Sequence, residues 1–187
     1  MESLVYQIVL LTTAAVMLLA LMSIVFVSWR NGISPMPSSS VVRREVLRLM
    51  KRLPMQGPLS DGVMIEAGSG WGSLALQLGR SFRGWRIIGL ENSVIPLWIS
   101  FCAAKLENRM NVSFTKCDLY TYCYRDVDRV VCYLYPGAMR RLSPLFREQL
   151  KPGAYVVSIL FALPDWEPEQ VMVCKDMYRT PIYLYKA

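Results

Sequence analysis

Residues 4–29 run for 26 positions without one charged side chain, and nothing else in the chain narrows its fold as much. As a helix this run would be about 39 Å long at about 1.5 Å per residue. That exceeds the roughly 30 Å hydrocarbon core of a bilayer. The run is therefore expected to cross a membrane, with tilt or interfacial overhang taking up the excess. A cleaved signal peptide is the alternative, but Met1-Glu2 offers no basic start, and the run is about twice an ordinary leader core. Arg30, Arg43, Arg44, Arg48, Lys51 and Arg52 follow it while only Glu2 precedes it. The positive-inside rule then places the C-terminal bulk in the cytoplasm.

This run explains much of the 53% hydrophobic content. The net charge of +7 is also uneven, with six basic and two acidic residues in 1–60 against fifteen and twelve in 61–187. A basic collar beside a span favours anionic head groups. No lysine-rich tract or aromatic ladder points to nucleic acid. The chain has no histidine, which excludes Ser-His-Asp and Cys-His pairs, HExxH zinc sites and an imidazole base. Cys102, Cys117, Cys123, Cys132 and Cys174 form no CxxC pair. Neither a disulfide framework nor a metal site is indicated, and free thiols, mostly in packed strands and helices, are expected.

Three segments are expected: an anchor over 1–31, a linker with an amphipathic helix over 32–60, and a domain over 61–187. The linker is marked by Pro35, Pro37 and four serines. After it, Val42, Val46, Leu49, Met50 and Leu53 recur at spacings of three and four, which predicts a short amphipathic helix over 41–53, capped by the serines. Beyond residue 61, strands and helices alternate. Strands are predicted over 62–66, 86–90, 112–116, 129–135 and 154–161, with helices over 73–80, 96–108 and 138–150 between them. Segments 171–174 and 182–185 suggest a closing antiparallel pair. Apolar strands separated by helices imply an α/β domain with a doubly wound parallel sheet covered on both faces.

In such sheets ligands sit at the carboxyl ends of the strands. There the sequence Glu66-Ala67-Gly68-Ser69-Gly70-Trp71-Gly72 follows the first strand and opens the first helix. A dinucleotide fingerprint would need a glycine at position 73, where Ser73 stands. The spacing acidic-x-G-x-G-x-G instead resembles motif I of the class I S-adenosylmethionine-dependent methyltransferases. That resemblance implies a Rossmann-like methyltransferase sheet and S-adenosylmethionine as cofactor. It also implies that Glu66, Gly68, Ser69, Gly70 and Gly72 pass under the amino-acid and ribose portion. Glu91 ends the second strand, where a carboxylate accepts both ribose hydroxyls, with Asn92 beside it. Asp118, followed by Leu119, ends the third strand, where the family places an acid near the adenine amino group. An Asx cap is the alternative for Asp118.

Pro35-Met36-Pro37-Ser38, the 66–72 loop, Tyr133-Leu134-Tyr135-Pro136 and Leu163-Pro164-Asp165-Trp166-Glu167-Pro168 together resemble a narrower group. These are the membrane-anchored protein lysine methyltransferases, whose mitochondrial members modify the ATP synthase c subunit and the adenine nucleotide translocase. The family loop often reads G-S-G-D-G-R; here Trp71 and Ser73 hold the last variable places. The resemblance implies Pro37 and Ser38 at the cofactor, a membrane-protein lysine as acceptor, and a mitochondrial inner membrane in an organelle-bearing source. In other sources the cytoplasmic membrane is implied. It casts Tyr133, Tyr135, Asp165 and Trp166 as the residues around the reacting amine. Methyl transfer to an amine needs alignment more than a strong base, so the missing histidine is no obstacle. The alternatives are that Tyr133 is a core strand residue, that Trp166 covers the sheet end, and that the acceptor is a lipid or lipophilic small molecule. A degenerate membrane-bound scaffold is the non-enzymatic alternative. Asp126 and Asp128 are expected on a solvated turn.

Overall fold

The computed structural model describes residues 2–31, 38–54 and 61–187. The chain divides into two compact units, Met1–Pro35 and Met36–Ala187. The first consists of helix α1 (Glu2–Asn31). Among the described residues, Ser3–Ser23 is the one stretch of helix long and apolar enough to cross a membrane, and none of it is buried. The lack of burial sets it apart from the core helix of a soluble protein. A secretory leader would meet the same criterion of length and composition.

The second unit begins with α2 (Ser40–Arg52), where the amphipathic pattern predicted a helix. Ser39 caps it by accepting the Val42 N–H at 3.2 Å. Then follow β1 (Val63–Ala67), α3 (Ser73–Ser81), β2 (Arg86–Glu91), α4 (Val94–Leu106), β3 (Val112–Lys116), β4 (Arg129–Cys132), α5 (Pro136–Gln149), β5 (Tyr155–Ile159), β6 (Gln170–Val173) and β7 (Pro181–Lys186). The sheet order is β3-β2-β1-β4-β5-β7-β6. The first five strands are parallel, and β7 joins β5 and β6 antiparallel. This is the Rossmann-like methyltransferase sheet expected from the sequence, with its antiparallel C-terminal pair. The fourth strand is shorter than predicted, because Pro136 in the first turn of α5 fixes a helix start there and leaves Tyr133 to Tyr135 as a connecting segment.

Burial explains why α2 stays on the sheet. Val42, Val46, Leu47, Leu49 and Met50 on α2 join Trp85, Ile87 and Tyr155 in one apolar cluster. The Arg129 guanidinium of β4, 2% exposed, lies 4.3 Å from the Trp85 ring centre. It donates to the carbonyls of Met50 at 2.9 Å, Leu53 at 3.4 Å and Pro54 at 3.2 Å. These are orphan acceptors at the end of α2, which a cation satisfies with both charge and hydrogen bonds.

Asp128 is not on a solvated turn. Its carboxylate accepts the Val63 N–H at 2.7 Å and pairs with the Lys151 ammonium at 2.6 Å, pinning the foot of β1 to that of β4. Asp126 is exposed, as expected. The thiols are free, but only Cys132 and Cys174 are buried, whereas Cys102 and Cys123 are exposed.

Candidate active site

From β1 the chain moves outward through β2 to β3, and from β4 it moves the opposite way to β5. The crevice between the carboxyl ends of β1 and β4 is thus the switch point at which open α/β sheets receive ligands. The 68–72 loop leaves β1 there. The N–H groups of Gly68 and Ser69 both donate to Leu90 O, at 3.0 and 2.9 Å, and Gly72 N–H donates to Ser69 O at 2.8 Å. These bonds fold the loop over the end of β2.

Two glycines show why this loop needs them. Gly72, with φ of 74°, sits at the N-cap of α3. A Cβ there would lie 2.5 Å from the Phe114 ring and 2.6 Å from Ser100. Gly70 also has positive φ, but nothing lies within 4 Å of where its Cβ would point. The loop therefore packs tightly beneath and stays open above at Gly70, a backbone surface that a ligand can approach closely.

Glu66 and Glu91 hold this loop in place. Gly72 offers no side chain to cap α3; Glu66 does so from the strand, accepting the Ala75 N–H at 2.8 Å. Glu66 is 7% exposed, and burial pushes its carboxyl up to about 8. The Ala75 N–H opposes that rise, the nearby Glu91 adds to it and Arg43 of α2 opposes it. Glu91 accepts the Gly70 N–H at 2.9 Å with one oxygen and the Ser93 N–H at 2.8 Å with the other. A carboxylate oxygen has two lone-pair sites, so Glu91 can brace the loop and still accept from a ligand.

The other expected residues fall into distinct places. Asp118 is exposed, and one of its oxygens accepts Tyr120 N–H at 3.0 Å in an Asx turn. Leu119 is half-buried, and its carbonyl accepts the Tyr124 hydroxyl at 2.9 Å. Tyr120 lies under the Arg141 guanidinium of α5, 3.4 Å from its ring centre. The turn after β3 is thereby linked to the helix after β4. Asn92 is exposed and accepts from the Ser93 hydroxyl at 3.3 Å. Ser69 is buried, and its hydroxyl has no partner among the described residues. Ser38 accepts from Arg43 through its carbonyl; Arg43 also donates to Gln77 of α3 at 3.2 Å. Pro37 lies outside the described residues.

Tyr133 is half-buried, and burial, together with Asp176 and Tyr178, holds its phenol above the usual value. Asp176 and Tyr178 belong to the β6–β7 turn, which the sequence reading did not single out. Asp176 is fixed in that turn by the Thr180 N–H at 2.8 Å and hydroxyl at 2.6 Å. Trp166 meets Tyr185 of β7 edge-on at 6.0 Å and Arg147 of α5 at 5.5 Å. Asp165 is exposed with φ of 61°. Their loop is stitched down by Ser143 to Pro164 O at 2.7 Å and by Leu163 N–H to the Tyr185 hydroxyl at 2.9 Å. Among the described residues, the ring contacts of Trp166 are to Tyr185 and Arg147 and not to Tyr133 or Tyr135.

A buried carboxyl, a braced acid with spare lone pairs, and a glycine surface open at Gly70 fit a ligand carrying an ammonium and vicinal hydroxyls. S-adenosylmethionine has both. A family model described as the ANTKMT methyltransferase domain matches residues 66–170. The adenine nucleotide translocase lysine N-methyltransferase of Mus musculus is 29% identical over 120 residues. That match covers 59% of this chain and 48% of the mouse protein, so the chain spans about half of that relative's length. A protein-lysine N-methyltransferase of Saccharolobus islandicus (strain REY15A) is 25% identical over 154 residues, covering 80% of this chain and 90% of that one. Among solved structures, an RNA methyltransferase from Salinibacter ruber in complex with S-adenosyl-L-homocysteine superposes with a TM-score of 0.70 and 26% identity. It covers 81% of this chain and 93% of that chain.

Proposed function

The chain belongs to the family of the ANTKMT methyltransferase domain, and from that premise we propose that it transfers a methyl group from S-adenosylmethionine to a lysine amine of a membrane protein, tethered to the same membrane by α1. The observation that carries the cofactor half is the loop from Glu66 to Gly72, braced by Glu91 and open at Gly70. The names of the two relatives, one acting on a translocase lysine and one on protein lysine, support the acceptor. The apolar helix supports the tether.

The crevice would hold S-adenosylmethionine, whose sulfonium methyl is already activated: a neutral amine would bond to that carbon as the carbon–sulfur bond breaks, with S-adenosylhomocysteine leaving. Glu66 would receive the cofactor's ammonium. A neighbouring cation lowers a raised carboxyl, so binding favours the ionised form of Glu66. Glu91 would accept from the ribose hydroxyls while keeping the loop in place. Asp118, whose carboxylate stays exposed at the end of β3, would take the adenine amino group, with Leu119 against the ring. Tyr133 and Tyr135 would orient the incoming amine. Because burial raises the Tyr133 phenol, it stays neutral near pH 7 and offers oxygen lone pairs and a ring face rather than a base. Tyr135 is set at the N-cap of α5, its carbonyl accepting from the Ala138 and Met139 N–H groups, which would serve alignment. Asp165 and Trp166 would frame the lysine's entry from the loop after β5.

The test has two stages. Calorimetric titration of the full chain in detergent with S-adenosylmethionine is expected to show binding that Glu91→Ala abolishes or weakens strongly; no binding to the native chain would leave only a scaffold. The chain is then incubated with its own membranes and methyl-labelled cofactor. A labelled protein band whose modified residue is lysine supports the acceptor. Label extracting into organic solvent as lipid, or recovered in RNA, overturns it.

A further inference from the structure

Helix α4 is built the wrong way round for a helix of a water-facing domain. Toward the sheet it presents Pro96, Ser100 and Ala104, three small residues spaced by four. This allows close approach, with Ser100 set against Gly72 beneath the glycine loop. Its large apolar residues point outward instead: Val94 is 50% exposed, Trp98 67%, Phe101 52%, Ile99 47% and Leu106 88%. On a helical wheel these fall on one face. Met110, just beyond the helix, is 93% exposed as well. Single exposed apolar residues need no explanation, but a contiguous face of this kind marks an interaction surface.

Charge narrows the partner. From Val94 to Leu106 there is no carboxylate, and the one ionisable cation is Lys105, whose ammonium lies 5.6 Å from the Phe101 ring centre. Glu107, after the helix, is neutralised by Arg80 and Arg109. An apolar face with Trp and Phe, a lysine in its last turn and no free acid is the composition of a helix lying in a bilayer interface. The lysine stem can cover apolar surface while its head group reaches lipid phosphate. Chain length points the same way. Eight residues separate Asn31 from Ser40, at most about 30 Å of fully extended chain.

We propose that the outward face of α4, formed by Val94, Trp98, Phe101 and Leu106, docks into the interface of an anionic bilayer as a second membrane contact beside the α1 anchor. This inference rests on the reading of α1 as that anchor. Its meaning for the reaction follows from Glu91, which ends β2 and bonds Ser93 at the start of α4. Docking α4 brings the carboxyl end of the sheet to the lipid surface, where lysines that flank a membrane span are found.

The test uses the full chain in vesicles of phosphatidylcholine and phosphatidylglycerol whose acyl chains are brominated near the head group. Tryptophan quenching is compared between the native chain and Trp98→Phe, after flotation with the vesicles. The expected result is that both float and that Trp98→Phe loses a distinct share of the quenching. Equal quenching in chains that float overturns docking while leaving the tether standing; failure to float overturns the tether and this inference with it. A companion variant, Trp98→Glu with Phe101→Glu, is expected to bind S-adenosylmethionine within about twofold of the native chain, since both side chains face outward, yet to lose activity on a membrane-embedded acceptor. If it instead turns a dimer into a monomer by light scattering while Trp98 stays unquenched, the face belongs to a second copy and the inference falls.

Discussion

Replacing Glu66 by glutamine is expected to stabilise the ligand-free chain while weakening its hold on cofactor. The carboxyl titrates at about 8 in the folded chain against 4.5 for a free glutamate. At about 1.36 kcal/mol per pH unit this gap amounts to something on the order of 5 kcal/mol. Its sign is fixed by proton counting. Between about pH 4.5 and pH 8 the folded chain holds one more proton at this site than the unfolded chain, so stability falls as pH rises through the window and levels off above it. Glutamine keeps an oxygen for the Ala75 N–H but never ionises. Its extra amide donors cost about 1–2 kcal/mol if unmet, leaving a net gain of about 3 kcal/mol near pH 8.5 and a net loss of about 1–2 kcal/mol near pH 4.5. Urea unfolding of the full chain in detergent, followed by tryptophan fluorescence across that range, reads the difference between variant and native protein. A difference that does not grow with pH, or a glutamine variant that is less stable at high pH, would refute the burial argument. Cofactor affinity should move the other way, by roughly 10- to 100-fold, as a charge-assisted contact worth about 1.5–3 kcal/mol is lost. Cofactor binding to the native chain near neutral pH should also release a proton, visible as a dependence of the calorimetric enthalpy on buffer.

Glu91→Ala removes the acceptors for both Gly70 and Ser93 N–H. It should cost about 2 kcal/mol of stability and at least about 100-fold in cofactor affinity, measured by unfolding and calorimetry; an affinity within threefold of native would discount its role. Gly72→Ala sets a Cβ against Phe114 and Ser100 at a positive φ and should destabilise by about 3 kcal/mol, read from the urea midpoint. Asp128→Ala frees Val63 N–H and Lys151 at the end of the sheet opposite the crevice. It should lower stability by about 2 kcal/mol and leave cofactor affinity unchanged; a parallel loss of affinity would show that the foot of the sheet is coupled to the loop.

The elements that carry a local signature could be read from the sequence. Periodicity marked α2, glycine spacing marked the loop, and apolar runs between helices marked the parallel strands. Residues whose setting depends on distant chain could not be read in this way. Asp128 sits in the polar stretch Arg125-Asp126-Val127-Asp128-Arg129 and resembles a solvated turn until Val63 and Lys151 arrive from elsewhere in the chain. Arg129 looks like a surface cation and is instead among the most buried side chains, because its partners are the carbonyls ending α2. Within the site, Glu66 and Glu91 were found by position, but their bonds to backbone N–H groups were not, since capping across a glycine loop leaves no sequence mark. The outward apolar face of α4 escaped for a different reason. Apolar residues surround that helix on every side, so its pattern does not say which face meets the sheet.

The guanidinium of Arg129 sets a limit on how this chain can be trimmed. A fragment starting before Ser38 keeps the carbonyls of Met50, Leu53 and Pro54 that receive it. One starting at residue 61, where sequence alone puts the domain border, would take away those carbonyls and strip Trp85, Ile87 and Tyr155 of the α2 side chains that cover them, turning buried apolar surface out to water. For soluble expression or crystallisation, the natural cut therefore lies between α1 and α2. Helix α2 is less a connector than the first piece of the α/β unit.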